Sequence, residues 1–183
     1  MSRFAVIDTE TTWTGDLMTV GILIVERGSF EIADYRYYLV KEALYEGGMY
    51  SHKVHMKGIK EVTVSANYIQ NEIYGFLIEK GISSVFAYNA GFDRKCLPAL
   101  NSFRWYDIMR LAAYKQYNAA IPQAIDCYAT GRLKTGYSVE GVMRLFGKHN
   151  YVESHNALLD ARDELEIMFL LGYDLNEYPE MKT

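Results

Sequence analysis

Cysteine and proline are scarce in this sequence, and long apolar runs are missing. The 183 residues include two cysteines and three prolines. Cys96 and Cys127 lack the paired spacing of a zinc site or a disulfide framework, so we expect a reducing compartment. No run approaches the roughly 20 apolar residues of a membrane span, and the first residues do not resemble a signal peptide. We therefore expect a cytoplasmic protein that makes no contact with a membrane.

Length and composition favour one folded unit. Half of the residues are hydrophobic, and the sequence contains no repeat, low-complexity tract or proline-rich linker. A chain of this length can bury one sizeable core but not two comfortable ones. We expect a single domain over residues 1–183, with its core at about 3–171 and a short C-terminal tail.

Charge is unevenly distributed along the chain. The net charge of −4 argues against indiscriminate binding of nucleic acid. Residues 94–148, however, hold nine basic residues and three acids, whereas residues 151–183 hold eight acids and two bases. Tyrosines are interleaved with the basic residues, which is typical of a groove that follows phosphates and stacks bases. A solvated face with half-buried tyrosines would have the same composition.

Apolar patterning predicts strands first and helices later. Strands are expected at residues 3–9, 17–26, 30–40 and 84–88. Helices are expected at residues 67–80, from about 92, and at 156–171, and residues 106–145 should be helical with breaks at Pro122 and at 131–136. This order predicts a mixed α/β layer fold.

Two carboxylates stand where the first strand leaves the core, in the stretch FAVIDTETT. Asp8 and Glu10 point to the same face if the strand continues through Thr9. Adjacent, half-buried carboxylates repel each other unless a cation or a hydrogen-bond network compensates them. Alternatively, the strand ends at Asp8 and both acids are solvated, or one of them caps a turn.

Asp93 lies in the opening turn of a predicted helix, in the stretch AYNAGFDRKCL. It shares an inward-facing row with Leu97 and Leu100. The favourable interaction of an acid with the helix dipole would explain its position equally well.

The last predicted helix opens with HNALLDARDELEIM. His155 lies in the loop before it, and Asp160 lies off its polar stripe, on the row that contains Glu164 and Ile167. An acid that is turned toward a core is more often a ligand than a solvated charge. His155 alone would be an ordinary surface residue.

Together the motifs DTETT, NAGFD and HNALLDA resemble the three exonuclease motifs of the DnaQ-like, DEDDh-type 3′–5′ exonucleases. Their order, their spacing and the H-x4-D signature agree, and the resemblance extends from Arg3 to about Leu171. Two linking segments, WYDIMRL and YSVEGVMRLFG, are also similar. The resemblance implies an α/β ribonuclease H-like fold, in which a mixed β-sheet is flanked by helices.

The resemblance also implies a catalytic site. Asp8, Glu10, Asp93 and Asp160 would bind two Mg²⁺ or Mn²⁺ ions, and His155 would be the general base. Independently, phosphodiester hydrolysis requires an activated water and a stabilised leaving oxyanion, which two hard cations held by carboxylates supply. The substrate would be the 3′ end of single-stranded DNA or RNA. Substrate-binding residues would be Thr11, Thr12, Trp13, Asn89 and Phe92.

The sequence departs from the family pattern at two points. Trp13 replaces the usual glycine, and the short histidine-glycine-isoleucine segment is stretched to His55–Ile59. Trp13 could stack on the terminal base, or it could fold back as a lid over the core.

Two other functions fit part of this pattern. A catalytically inactive nucleic-acid-binding module could share the fold, and a metal-free glycosidase could use one carboxylate pair, which would leave Asp93, Asp160 and His155 without roles. The sequence identifies neither a preference for DNA or RNA nor a polymerase or other protein partner.

Overall fold

A six-stranded mixed sheet forms the centre of the structure, a computed structural model that describes residues 3–181. The strands are β1 (Arg3–Thr11), β2 (Leu17–Glu26), β3 (Ile32–Val40), β4 (Glu61–Val64), β5 (Ser84–Ala87) and β6 (Arg104–Asp107). Their order across the sheet is β4-β3-β2-β1-β5-β6. Strand β2 is antiparallel to both of its neighbours, and the other three pairs are parallel.

Six α-helices lie around the sheet within residues 3–181. They are α1 (Lys41–Glu46), α2 (Ile69–Glu79), α3 (Gly91–Cys96), α4 (Met109–Ala112), α5 (Val139–Leu145) and α6 (Ala157–Leu171). The side chain of Asn156 caps α6 by accepting a hydrogen bond from the Leu159 amide, and Gly172, in the left-handed region, ends it. Within residues 3–181, no helix combines the length and the apolar character that crossing a bilayer requires.

Helix α6 packs directly on β1 and β2, and a glycine makes this contact possible. Residues Phe4–Ile7 of β1 are all buried, as expected for a strand that is covered on both faces. A Cβ atom on Gly21 of β2 would lie 2.2 Å from the carbonyl oxygen of Ala157. The start of α6 is therefore held against the end of β1, where Asp8 and Glu10 lie.

The expected α/β fold is confirmed, and residues 131–136 are non-helical as expected, but most of the helix expected elsewhere in residues 106–145 is missing. That region contains the end of β6 and the whole of α4 and α5, but residues 113–138 form turns and isolated bridges. Pro122, Gly131 and Gly136 interrupt the helical pattern, and Asn118 bonds the Ala112 carbonyl and the Ala120 amide. A small separate core then holds the segment together, formed by Ala113, Ile121 and Leu133.

Other expected boundaries are close to the observed ones. The first strand continues two residues beyond its expected end, to Thr11, and the third begins at Ile32 instead of Phe30, whose φ is +58°. Among the strands and α-helices, three short ones were not expected: α1, β4 and β6. Each is four to six residues long, too short for periodicity to identify.

The tight contact at Gly21 predicts that Gly21→Ala destabilises the protein. Because the new methyl group would meet backbone atoms of α6, we expect the free energy of unfolding to fall by about 1–3 kcal/mol or more. Thermal melts measure this, at roughly 2–4 °C per kcal/mol. Gly75→Ala is the matched control, since Gly75 is exposed within α2 and a Cβ there meets nothing within 4 Å. It should be neutral or slightly stabilising, and an unchanged melting temperature for Gly21→Ala would contradict the packing described here.

Candidate functional site

The end of β1 carries the first two carboxylates. Because the strand continues to Thr11, Asp8 and Glu10 lie on the same face, paired in register with Gly21 and Thr19 of β2. Both are half-buried. The alternative in which the strand ends at Asp8 and both acids are solvated is therefore wrong.

Helix α6 brings the third motif to this strand end. Ligand atoms of Glu10, His155 and Asp160 all lie within 4.8 Å of one another. Asp160 is only 3% exposed, and the Ser154 hydroxyl donates a 2.8 Å hydrogen bond to its Oδ1. These three groups form a compact set of oxygen and nitrogen ligands that could hold a divalent cation.

Asp93 approaches the same region from α3. Its carboxylate is 1% exposed, and its Oδ1 accepts a 2.7 Å hydrogen bond from the hydroxyl of Thr9, which lies between Asp8 and Glu10. Burial raises the pKa of Asp8 most, and the charges of Glu164, Asp93, Asp160 and Glu10 raise it further, so these carboxylates are electrostatic neighbours. All five residues predicted to catalyse or bind metal meet at one end of the sheet.

Two further carboxylates belong to this cluster and were not predicted from the sequence. Glu164 is 1% exposed, its Oε2 has no hydrogen-bond partner among the described residues, and it lines a cavity of about 420 Å³ together with Asp8 and Glu153. A backbone hydrogen bond from Tyr88 partly stabilises its charge. Glu164 lies one helical turn after Asp160, so its position on the same row was the signal that could have identified it.

Burial and crowding shift the titration of the whole cluster. Burial is the main cause, followed by repulsion from other carboxylates, and together they raise the pKa of Glu10 to about 8 and that of Glu153 to about 7. Burial also raises the pKa of Asp93 to about 7 and that of Asp160 to about 6, against hydrogen bonds that lower both. The cluster therefore needs either protons or cations at neutral pH, and hard oxygen ligands of this kind suit Mg²⁺ or Mn²⁺.

His155 is held in one orientation beside the acids. Its backbone has a φ of +53°, and its ring stacks on that of Tyr50 with centroids 3.7 Å apart and an angle of 8°. Burial, and secondarily the charge of Lys53, lower the pKa of His155, so the neutral imidazole is favoured at pH 7. A neutral ring nitrogen can accept a proton.

Asn156 ties the His155 loop to the rest of the fold. Its buried amide donates hydrogen bonds to the Lys53 carbonyl at 2.9 Å and to the Tyr37 hydroxyl at 3.0 Å. The segment that carries Tyr50 is thereby fixed to α6. Tyr50 was not predicted as a site residue, because nothing in its local sequence distinguishes it.

The residues predicted to bind substrate occupy different environments. Trp13 is 68% exposed, so the alternative in which it forms a lid over the core is wrong. Phe92 is also exposed, on α3 one residue before Asp93. Thr12 is buried instead, and its hydroxyl accepts a 3.1 Å hydrogen bond from the Asp16 amide, so it has a structural contact in the turn after β1.

Two more predicted substrate-binding residues lie next to the carboxylates. Asn89, with a φ of +61°, lines the same cavity as Asp8, and its backbone N–H donates to Asp107 Oδ1 at 3.0 Å. Half-buried Thr11 presents its carbonyl oxygen to Gly48, where a Cβ would lie only 2.6 Å away. The loop after α1 is therefore packed against the end of β1.

Comparison with solved structures identifies the fold. The nuclease domain of 3'hExo, a DEDDh family member bound to rAMP, aligns with a TM-score of 0.68 at 12% identity, over 99% of this chain and 96% of that one. The chain has the DnaQ-like fold of these domains. The expected α/β ribonuclease H-like class is thus confirmed. No family model and no curated protein matches the sequence.

Larger enzymes contain the same DnaQ-like fold. E. coli Exonuclease I in complex with a dT13 oligonucleotide aligns with a TM-score of 0.59 at 12% identity, over 96% of this chain and 42% of that one. Exonuclease I from Methylocaldum szegediense aligns with a TM-score of 0.55 at 16% identity, over 97% of this chain and 42% of that one. This chain therefore spans less than half the length of the Exonuclease I chains.

The raised pKa values predict that the metal-free protein loses stability as pH increases. In the folded state these acids titrate at about 6 to 8, and when unfolded at about 4. The folded state therefore binds more protons, and its stability falls as pH rises through this window. In EDTA, the melting temperature should fall between pH 5 and pH 8.5, and Mn²⁺ at pH 8 should restore much of the loss.

Glu164→Gln provides the test variant for this prediction. Removing one buried carboxylate should reduce the decrease in melting temperature with pH, whereas Glu31→Gln, a change at an exposed acid in the turn before β3, should not. A melting temperature in EDTA that does not fall between pH 5 and pH 8.5 would contradict the crowding of charges described here.

Proposed function

We propose that this protein is a metal-dependent 3′–5′ exonuclease that hydrolyses phosphodiester bonds at the 3′ end of single-stranded DNA or RNA. The observation that carries the proposal is the convergence of four carboxylates and one neutral histidine at one end of the sheet. A glycosidase that uses only a carboxylate pair would leave three of these groups without a role. The likeness in fold to DEDDh nuclease domains adds support.

The donor set fits divalent cations. Asp8, Glu10, Asp93 and Asp160 would hold two Mg²⁺ or Mn²⁺ ions, in line with the need of this crowded cluster for positive charge. When bound, such ions lower the pKa of a water molecule and stabilise the leaving oxyanion. Glu164 adds a further buried negative charge beside Asp8.

His155 takes the proton of the attacking water. Its ring lies within 4.8 Å of the ligand oxygens of Glu10 and Asp160, which is near enough to reach a water between them. Its lowered pKa keeps the imidazole neutral at pH 7, so that a ring nitrogen is free to accept the proton. Stacking on Tyr50 and the bonds of the adjacent Asn156 hold the imidazole in position.

The 3′ end of the nucleic acid would lie over the exposed aromatic residues of the site. Trp13 and Phe92 have solvent-accessible rings on which bases can stack without sequence preference. Thr11 and Asn89 would contact the sugar and phosphate of the terminal nucleotide, whereas buried Thr12 would support the turn beneath them. Similar structures support both kinds of nucleic acid, since one neighbour was solved with rAMP and another with a DNA oligonucleotide.

Hydrolysis of matched, 5′-labelled DNA and RNA strands tests the proposal. The protein with Mg²⁺ or Mn²⁺ should shorten them from the 3′ end, and EDTA should abolish the activity. Asp160→Asn should lose activity while remaining folded, because it removes a cation ligand without changing shape. Activity that persists in EDTA, or a normal rate for Asp160→Asn, would contradict the proposal.

His155→Gln separates the base from the metal ligands in the same assay. Loss of a general base typically slows a reaction by about 10²–10⁴-fold. Mn²⁺ affinity, measured by calorimetry, should stay near the wild-type value for His155→Gln and fall for Asp160→Asn. A large loss of Mn²⁺ affinity in His155→Gln would instead identify His155 as a metal ligand.

A further inference from the structure

An arginine lines the same cavity as Asp8, Glu153 and Glu164. Arg132 is half-buried in the wall of this cavity of about 420 Å³, next to Tyr137. Among the residues that the structure describes, no carboxylate lies within 4.0 Å of its guanidinium, and its side chain makes no hydrogen bond. A positive charge is thus held near acids without being paired to any of them.

This lack of a partner distinguishes Arg132 from most basic residues of the segment 94–148. Seven of the other eight bond to a side chain or carbonyl of the described chain: Arg94, Arg104, Arg110, Lys115, Lys134, Arg144 and Lys148. The eighth, Lys95, is exposed. Arg132 therefore combines partial burial with donors that are free to bind a ligand.

Two tyrosine rings fix the position of the guanidinium. Its central carbon lies 5.1 Å from the ring centroid of Tyr128 and 5.1 Å from that of Tyr137. In cation–π contacts of this kind the flat face of the guanidinium packs on the aromatic ring, and the N–H groups at its edge stay available to donate hydrogen bonds to a ligand. The side chain is thereby oriented before any ligand arrives.

The backbone around Arg132 is also anchored. The Tyr128 amide donates to the Arg132 carbonyl at 2.8 Å, and buried Leu133 packs into the small core of the segment. The Tyr88 hydroxyl donates to the Tyr137 carbonyl, which joins the second ring to the end of β5. Arg132 therefore belongs to the β5 and β6 side of the site.

His155 lies on the other side of the carboxylates. Through Asn156 and Tyr50 it is attached to β3 and to the loop after α1, beyond β2. The cluster is consequently bordered by a histidine and aromatic rings on one side and by an oriented guanidinium on the other. A nucleic-acid strand that crosses the carboxylate cluster would reach both His155 and Arg132.

We propose that Arg132 binds a phosphate of the substrate strand on the β5 and β6 side of Asp8. This inference rests on the proposed function, because it identifies a subsite for the same polynucleotide. The planar fork of arginine matches two phosphate oxygens, and cations on the carboxylates would remove the repulsion that an approaching phosphate would otherwise meet. Arg132 acts in binding and takes no part in the proton transfer.

Strand affinity measures this role directly. Fluorescence anisotropy with 5′-fluorescein-labelled dT and rU decamers is performed in Ca²⁺, and a gel checks that the strands stay intact. Arg132→Gln should weaken binding roughly 10- to 100-fold, as for a lost charge-assisted hydrogen bond. It should also reduce the slope of log affinity against log salt by about 0.7, the value for one phosphate contact on a single strand.

Lys134→Gln is the matched control. Lys134 lies two residues from Arg132 but is paired with Asp126 at 3.2 Å, so its replacement should change neither the affinity nor the slope. Arg132→Lys keeps the charge but loses the planar fork, and its affinity should lie between those of wild type and Arg132→Gln. In Mg²⁺, Arg132→Gln should raise KM with kcat nearly unchanged.

The outcomes separate this subsite from the proposed activity. If Arg132→Gln binds nucleic-acid strands as tightly as wild type and Lys134→Gln do, Arg132 does not form a phosphate subsite. This conclusion holds whether or not the protein hydrolyses the strands. If wild type binds and Arg132→Gln does not, but neither cleaves, the subsite is supported and the exonuclease proposal fails. Wild-type protein that does not bind strands at all would overturn both.

Discussion

Mutual repulsion among buried carboxylates is the constraint on which the rest of the structure depends. Six acids meet at the end of β1: Asp8, Glu10, Asp93, Glu153, Asp160 and Glu164. Such a cluster persists only if the fold forces it together and compensates its charge. The first requirement is met by packing, because Gly21 lets α6 approach β2 so closely that Asp160 and Glu164 must face β1.

Individual hydrogen bonds meet the second requirement only in part. The Thr9 hydroxyl, the Ser154 hydroxyl and the Tyr88 amide each stabilise one carboxylate. These donors do not offset burial, since the pKa values of the acids remain raised. At neutral pH the remaining deficit of positive charge can be met by protons or by cations, and divalent cations would meet it in the proposed site.

Much of this arrangement follows from local sequence, and some of it does not. Alternation along β1 and the inward row of α6 predict where Asp8, Glu10 and Asp160 point, because each depends on the period of a single element. Glu164 was on the same row and was overlooked, since one helix alone does not show which strand lies beneath it. The basic segment 94–148, which contains Arg132, was expected to contact phosphates, but the place of Arg132 in the site could not be predicted, and Tyr50 was not identified at all. Both positions depend on loops whose course is fixed by distant contacts such as those of Asn156 and Leu133. The same reason explains the error over residues 113–138, where a small independent core replaces helical periodicity.

Anomalous diffraction from crystals soaked in Mn²⁺ tests the central claim most directly. Two manganese peaks should appear among Asp8, Glu10, Asp93 and Asp160, separated by about 3.5–4 Å as in two-metal hydrolytic sites. Crystals of Asp160→Asn, soaked in the same way, should lose at least one of them. A Mn²⁺-soaked wild-type crystal with no peak at the end of β1, or with its peaks elsewhere on the molecule, would contradict the account.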